Sequence, residues 1–410
     1  MKLHTAGKTE GFQSPLVARI STQPLDLPAR KNVALVLAAS SQIPGDIAGY
    51  ASIIVENAWD ESEMGVPVVH SVRTVEHLKS GYIVAIEPRS GVIRTLYRPD
   101  SPHNTIFVTE RCNSNCLMCS QPPVDKDDIP ALTERNLCLI DLISPAPDYL
   151  CITGGEPTLL GNHLLSIIGK LRDVMPQTYV HMLSNGRRFA WPEFTSEFAA
   201  IQHPNFSVGI PLYSDQAELH DYVVQARGAF DQTILGFHQL ARHGLETEVR
   251  VVLHALTVPR LERLAEYICR NLTFVDHVSF MGMEHIGYAP RNMKELWIDP
   301  VDYQEELEAA VSVLGRFGIE SRIYNLQLCV LRPALWKYSK QSISDWKNVY
   351  GEVCTGCAVR TQCGGFFQWE TKVQSRGLHK ITTVQSTIVT SESPSARPSA
   401  SPWPFRAGAS

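Results

Sequence analysis

The sequence predicts an α/β protein built on a partial (β/α)6 barrel, with a small N-terminal β-rich or mixed domain and a C-terminal cysteine-rich extension. Six near-continuous apolar strand candidates lie between residues 104 and 288, amphipathic helical stretches lie between them, and the texture changes on either side. Apolar strands alternating with helices mark a parallel sheet covered on its outer face. Six units are too few to close the eight-stranded barrel, so an open one is expected over residues 101–288.

Before the barrel, NVALVLAA (32–39), ASIIVE (51–56) and GYIVAIE (81–87) are strand-like, and RSGVIRTLYR (89–98) continues the pattern through a Ser-Gly turn. They define a unit over 1–100 with no motif tied to chemistry. The barrel strands are expected at NTIFVT (104–109), DYLCIT (148–153), TYVHML (178–183), FSVGIPL (206–212), EVRVVLHA (248–255) and DHVSFMG (276–282). NHLLSIIGKLRDVM (162–175) and LERLAEYICRNL (261–272) have helical spacing. Residues 289–370 form a third region, with a helix at 301–316 followed by cysteines. From Thr371 onward there are eight Ser, four Pro and one acidic residue, Glu392. Such a composition buries little, so 371–410 is expected to be a disordered tail, from about residue 375.

Of the 410 residues, 44% are hydrophobic and 19% charged, as in globular proteins. The formal net charge of -5 gives no bulk attraction to nucleic acid, so no nucleic-acid partner is expected. The start, MKLHTAGKTEGFQSP, lacks the apolar core of a signal peptide, and no stretch reaches the roughly 18 apolar residues of a membrane span. A cytoplasmic protein without a membrane partner is expected. In that reducing compartment, the ten cysteines read as metal ligands or core residues, not as a disulfide framework.

The sharpest signal is Cys112-Asn-Ser-Asn-Cys116-Leu-Met-Cys119, directly after the first barrel strand and so at the C-terminal mouth of the sheet. With ten cysteines in the chain, chance supplies about 0.006 such patterns. Zinc usually takes four ligands in CxxC pairs, and no fourth cysteine lies nearby. Three thiolates on one loop can hold three irons of a cubane and leave the fourth iron open.

This spacing on this loop resembles the radical S-adenosylmethionine (SAM) superfamily. The resemblance implies a [4Fe–4S] cluster on Cys112, Cys116 and Cys119, with SAM chelating the open iron through its amino and carboxylate groups. It also implies reductive cleavage of SAM to methionine and a 5′-deoxyadenosyl radical, which abstracts a hydrogen from the substrate. An external electron donor is then required. The residue before the last cysteine is often aromatic in the family and is Met118 here; methionine still packs beside an adenine ring.

Other elements follow in order. Strand two ends in Thr153-Gly154-Gly155-Glu156-Pro157. Two glycines let backbone approach a ligand and Glu156 offers a carboxylate to an ammonium group; its position resembles the family's GGE motif, which binds the SAM amino group. Ser184-Asn185-Gly186, ending strand three, either contacts the SAM ribose or turns the chain. Ser214 is a SAM contact candidate. Arg250, a cation in an apolar strand, pairs either with the SAM carboxylate or with a structural carboxylate. Gly282-Met283-Glu284 offers backbone to the adenine.

Cys329, Cys354, Cys357 and Cys363 form a second group, able to bind zinc or a complete auxiliary iron–sulfur cluster. Sharing a chain with the first group favours iron–sulfur. The arrangement resembles the single-cluster extension of peptide-modifying radical SAM enzymes. Cys138, Cys151 and Cys269 read as buried small hydrophobes, and the fourteen His show no ligand spacing.

Four stretches narrow the resemblance: Thr109-Glu110-Arg111-Cys112-Asn113, Cys116-Leu117-Met118-Cys119-Ser120-Gln121-Pro122-Pro123, Glu295-Leu296-Trp297-Ile298-Asp299-Pro300 and Ser342-Ile343-Ser344-Asp345-Trp346-Lys347-Asn348. Over roughly residues 75–367 the chain resembles the C-type radical SAM maturase of His-Xaa-Ser systems. That resemblance implies a peptide substrate carrying His-Xaa-Ser repeats and a second radical SAM maturase as partner. The alternatives are a radical SAM enzyme acting on a small molecule in cofactor biosynthesis and a zinc-stabilised interaction protein without activity.

Overall fold

The computed structural model describes residues 3–39, 44–58, 65–342, 344, 347–368 and 374–383. Two sheets organise them. The first holds β1 (His4–Ala6), β2 (Lys8–Glu10), β3 (Leu16–Ser21), β4 (Val33–Leu37), β5 (Ser52–Val55), β6 (Val68–His70), β7 (Ile83–Glu87) and β8 (Val92–Tyr97), in the order β1-β8-β7-β3-β4-β5-β6-β2. Strands β3 to β6 run parallel and the outer pairs antiparallel. Both faces are apolar: Ala34, Val36 and Ile54 on one, Leu35, Ile53 and Val55 on the other.

The second sheet is entirely parallel. It contains β9 (Asn104–Phe107), β10 (Tyr149–Thr153), β11 (Tyr179–Leu183), β12 (Phe206–Pro211), β13 (Glu246–Leu253), β14 (His277–Gly282) and β15 (Glu320–Tyr324), side by side in chain order. Consecutive neighbours joined by right-handed crossovers place their helices on one face. These helices are α1 (Ile129–Leu142), α2 (Asn162–Val174), α3 (Pro192–Ala199), α4 (Ala217–Val224), α5 (Ala229–Arg242), α6 (Leu261–Asn271), the short α7 (Met293–Leu296) and α8 (Gln304–Arg316). The apolar spacing of α2 (Leu164, Ile167, Ile168, Leu171) and α6 (Leu261, Leu264, Ala265, Ile268) makes the stripe that packs on the strands. Leu150, Ile152, Val180, Met182, Val208, Ile210, Val249, Val251, Val278 and Phe280 face that layer.

Strand alternation sends the other side chains to the opposite face, which is polar. Across it the register sets Cys151 beside His181, His181 beside Ser207, Glu248 beside His277, and Arg250 beside Ser279. Glu248 is the centre: Arg250 Nη1 donates to both its oxygens at 3.1 and 3.0 Å, His181 Nε2 lies 3.0 Å away and His277 Nε2 3.6 Å. Burial alone would raise the Glu248 carboxyl, yet Arg250 and the two imidazoles hold it well below the ordinary 4.5.

The six expected strands are β9 to β14. Three expectations need correction. The sheet has a seventh strand, β15, so it continues to residue 324 and does not give way to a separate region at 289. Glu320 and Arg322 interrupt its apolar run because it is an edge strand. The tail expected from residue 371 is partly built in. Residues 374–383 lie on the structured body: Ser375 Oγ donates to Asp299, Arg376 N donates to Asp299 at 2.9 Å, and Ala358 N donates to Ile381 O at 2.8 Å. Short polar anchors seat a segment that composition alone reads as unable to bury anything. Residues 371–373 and 384–410 of the expected tail lie outside the described residues. Third, Cys138 is exposed on α1, whereas Cys151 and Cys269 are buried as expected.

Removing the charge at the centre of the polar face strands Arg250 in a buried setting. Glu248→Gln is expected to lower unfolding free energy by about 3–5 kcal/mol, measured by chemical denaturation at pH 7. Because the folded Glu248 carboxyl sits below its unfolded value, its contribution is present above pH 4.5 and fades as pH falls below it. The variant should therefore lose that part of the acid dependence.

Candidate active site

The three cysteines of the 112–119 loop hang from the C-terminal end of β9, and every neighbouring loop holds them. At the root, Asp128, at the N-terminus of α1, accepts from Thr109 Oγ1 at 2.6 Å and from Glu110 N at 2.7 Å. The β10 loop lies against the same stretch: Gly155 N donates to Thr109 O at 2.7 Å and Glu156 N to Arg111 O at 2.8 Å. A Cβ on Gly155 would fall 2.1 Å from Arg111 O, and one on Gly154 2.6 Å from Thr109 O. The two glycines thus serve a close approach of backbone to backbone.

In the middle of the loop, Asn115 N and Leu117 N donate to Val224 O and Val223 O, both at 3.0 Å. These are C-terminal carbonyls of α4 that the helix itself leaves open. At the far end Tyr288 N donates to Cys119 O at 2.9 Å and Asn292 Nδ2 to Leu117 O at 2.7 Å. Gly287 has φ +64° and lies so close that a Cβ would be 2.1 Å from Cys119 O.

Glu156 is 1% exposed. Its Oε1 accepts from Thr158 N, Thr158 Oγ1 and Ser184 Oγ at 3.0, 2.6 and 2.7 Å, and its Oε2 from Asn185 N at 2.7 Å. Its carboxylate ties the β10 loop to the β11 loop, where the sequence suggested an ammonium partner. Asn185 Nδ2 then reaches Asn113 Oδ1 at 2.6 Å, and Arg187 donates to Asn113 O and, at 3.2 Å, to Ser114 Oγ. Cys112–Cys119, Gly154–Pro157, Ser184 and Asn185 are thereby one connected structure.

The other expected residues stand apart. Ser214 is fully buried after β12 and accepts from Gln216 N at 3.0 Å. Arg250 is committed to Glu248, the structural carboxylate that the sequence left as its alternative. Met118 is buried in a small apolar cluster with Tyr213, Val223 and Met283. The Tyr213 ring lies between His220 (5.8 Å) and His254 (6.1 Å). Burial pushes these imidazoles down to about 4 and about 3, so both are neutral. Sequence reading missed Asp128, Arg187, Gly287 and the Glu248 network. One signal was available: Glu248 stands two residues before Arg250, and on a strand that spacing shares a face.

Burial pushes the Cys112 thiol up to about 11, with the Glu156 charge adding to it, and Cys116 to about 12, with Cys119 and Cys112 adding. Thiols so placed ionise only beside a strong cationic centre. Among the described residues no three Cys, His, Asp or Glu side chains converge on a point suited to a single metal ion. A cubane takes its thiolates at separate corners, so it asks for three thiols facing one space, and three soft donors electrostatically coupled on one loop fit that chemistry. In the C-terminal region burial pushes the Cys329 and Cys363 thiols up, and charge on Cys354 near both of them would push them further. Leu328 N donates to Cys363 Sγ at 3.4 Å, and the backbone N–H of His379 points at Cys329.

The fold is a parallel α/β sheet with a three-thiol loop pinned at its C-terminal edge, the place where ligand sites of such sheets form. Residues 106–268, from β9 into α6, match the model of the Radical SAM superfamily. The chain is 24% identical over 233 residues to an uncharacterized protein of Methanocaldococcus jannaschii, covering 55% of this chain and 74% of that one. Among solved structures it is similar to SuiB of Streptococcus suis bound to S-adenosylmethionine (TM-score 0.44, 13% identity, 62% of this chain and 56% of that one). It is also similar to coproporphyrinogen III oxidase of Escherichia coli (TM-score 0.40, 15% identity, 54% of each chain). The chain spans less than two thirds of the length of either. No helix among the described residues is long and apolar enough to cross a membrane.

Two outcomes are expected. Gly155→Ala forces the β10 loop off Arg111, so iron bound at the first cysteine group should fall severalfold after reconstitution while the circular dichroism spectrum is kept. Below pH 6.5 the unfolded chain gains protons that His220 and His254 refuse until about pH 4 and about pH 3. Their contribution to stability is present above 6.5 and lost as pH falls, at up to about 2.7 kcal/mol per pH unit for the pair. Denaturation midpoints between pH 7 and pH 5 measure it, and His220→Gln should halve the slope.

Proposed function

We propose that this protein is a radical SAM enzyme that modifies a peptide of the His-Xaa-Ser repeat type. One observation carries the enzyme reading: Cys112, Cys116 and Cys119 sit on a loop braced from four sides at the C-terminal edge of a parallel sheet, inside the matched stretch. When bound, a [4Fe–4S] cluster on these thiols and SAM supply one-electron cleavage to a 5′-deoxyadenosyl radical. The chain's own residues bind, orient and exclude water. Gly154 to Pro157 bring backbone beside the cysteine loop, and Ser184 and Asn185 hold Glu156 and Asn113 in place there. Glu248 keeps Arg250 charged and oriented on the polar face of the sheet.

The peptide reading is supported by the second cysteine group and by the stretches resembling His-Xaa-Ser maturases. Cys329, Cys354, Cys357 and Cys363 are all thiols, the donor set of a complete auxiliary iron–sulfur cluster. Lys347, from one of those stretches, pairs with Glu284 at 2.8 Å, beyond β14; Ile343, Asp345 and Trp346 of it lie outside the described residues. In this reading the protein is cytoplasmic, takes electrons from an external donor and works with a second radical SAM maturase.

Anaerobic reconstitution with iron and sulfide tests the proposal. About eight irons are expected in the wild type and about four in the Cys112/Cys116/Cys119→Ala variant, with a SAM-perturbed EPR signal only in the wild type. About four irons, all lost in the variant, with zinc on the other cysteines, would keep the enzyme and remove the auxiliary cluster. No iron uptake would sink the reading.

A further inference from the structure

Two cavities meet beside the cysteine loop. One, of about 620 Å3, starts at Cys112 and passes Asn115, Val124 and Gln225. The other, of about 470 Å3, lies between Asn162, Arg188 and Trp191. Asn113 and Leu159 line both, so the two cavities adjoin and together run from Cys112 to α3 as a groove shared at those residues. The α3 side is apolar at Leu159, Trp191 and Phe194, whereas the Cys112 side is largely polar, with Arg111, Asn113, Asn115, Asp125 and Gln225 beside Val124; Trp191 and Val124 stay 51% and 50% exposed. Large exposed apolar side chains lining a concave surface mark an interaction site.

The far rim is acidic. Glu193 and Glu197 are four residues apart, hence neighbours on one face of α3. Both are exposed, and among the described residues neither is in an ion pair. The cation in the lining of that cavity, Arg188, lies over the Phe194 ring, 4.7 Å from its centroid. An apolar stretch beside two unpaired carboxylates suits an extended chain carrying apolar and basic side chains in turn, and it repels a polyanion.

We propose that this groove seats the peptide substrate, with an apolar side chain on Leu159 and Trp191 and an imidazolium or other basic side chain against Glu193 and Glu197, so that the segment beyond Leu159 reaches the Cys112 side of the site. The inference rests on the peptide reading above and names the surface that serves it. It assigns Trp191 as the anchor, because a buried aromatic contact dominates the energy of most recognition surfaces.

The test is fluorescence anisotropy with a fluorescein-labelled peptide of consecutive His-Val-Ser repeats on the reconstituted protein. Trp191→Ala and the double variant Glu193→Gln/Glu197→Gln are each expected to raise Kd about tenfold or more, with iron content and the SAM-perturbed EPR signal unchanged. The same peptide with His replaced by Glu should bind the wild type more weakly and recover on the double variant. Wild-type binding that no variant alters would overturn the groove and leave the peptide reading standing. A wild type that binds no peptide would remove both.

Discussion

The site depends on one close approach: the backbone of Gly154–Glu156 lying directly on Thr109–Arg111. Two hydrogen bonds, Gly155 N to Thr109 O and Glu156 N to Arg111 O, carry the pairing of β10 with β9 beyond the regular ladder. No side chain fits between the two strands of backbone. Once they are joined, Glu156 is buried and must be neutralised by donors, and the β11 loop supplies them through Ser184 and Asn185. Asn185 and Arg187 in turn grip Asn113 and Ser114. The cysteine loop therefore inherits its position from a chain of contacts that starts at two missing Cβ atoms.

The polar face of the parallel sheet solves a second problem. A sheet with helices on one face must either cover the other with apolar chain or balance its charges. Here the charges are balanced. Glu248 takes Arg250, His181 and His277, and Arg322 links His277 to Glu320. A buried network of this kind is costly to break at any one member, because each loss leaves a charge without a partner. It fixes side chains beneath the strand ends, where a site needs rigid support.

The C-terminal region belongs to the same body as the sheet. The strand β15 joins the ladder, residues 374–383 are anchored on Asp299, Asp302 and Ala358, and four cysteines distant in sequence share one electrostatic neighbourhood. Composition misjudged the segment 374–383 because anchoring by Ser375 and Arg376 needs partners on another element, and nothing local reports them.

By itself, the sequence determined the parallel α/β sheet, because six apolar runs separated by amphipathic stretches have few other ways to bury themselves. It also determined which thiols share a loop, because CxxxCxxC places them within eight residues. The tertiary structure alone decided what the remaining polar residues do. Glu156 and Arg250 look alike in sequence, a charge near a strand end and a charge inside a strand, each free to meet a ligand. The fold surrounds the first with four donors from two loops and the second with Glu248, since a buried charge takes the nearest partner the packing supplies. The partners of Glu156 lie as far as 29 residues away in the chain, a separation at which no local pattern can register them. Glu248, by contrast, shares a strand face with Arg250 two residues on, and only its burial with His181 and His277 needed the fold.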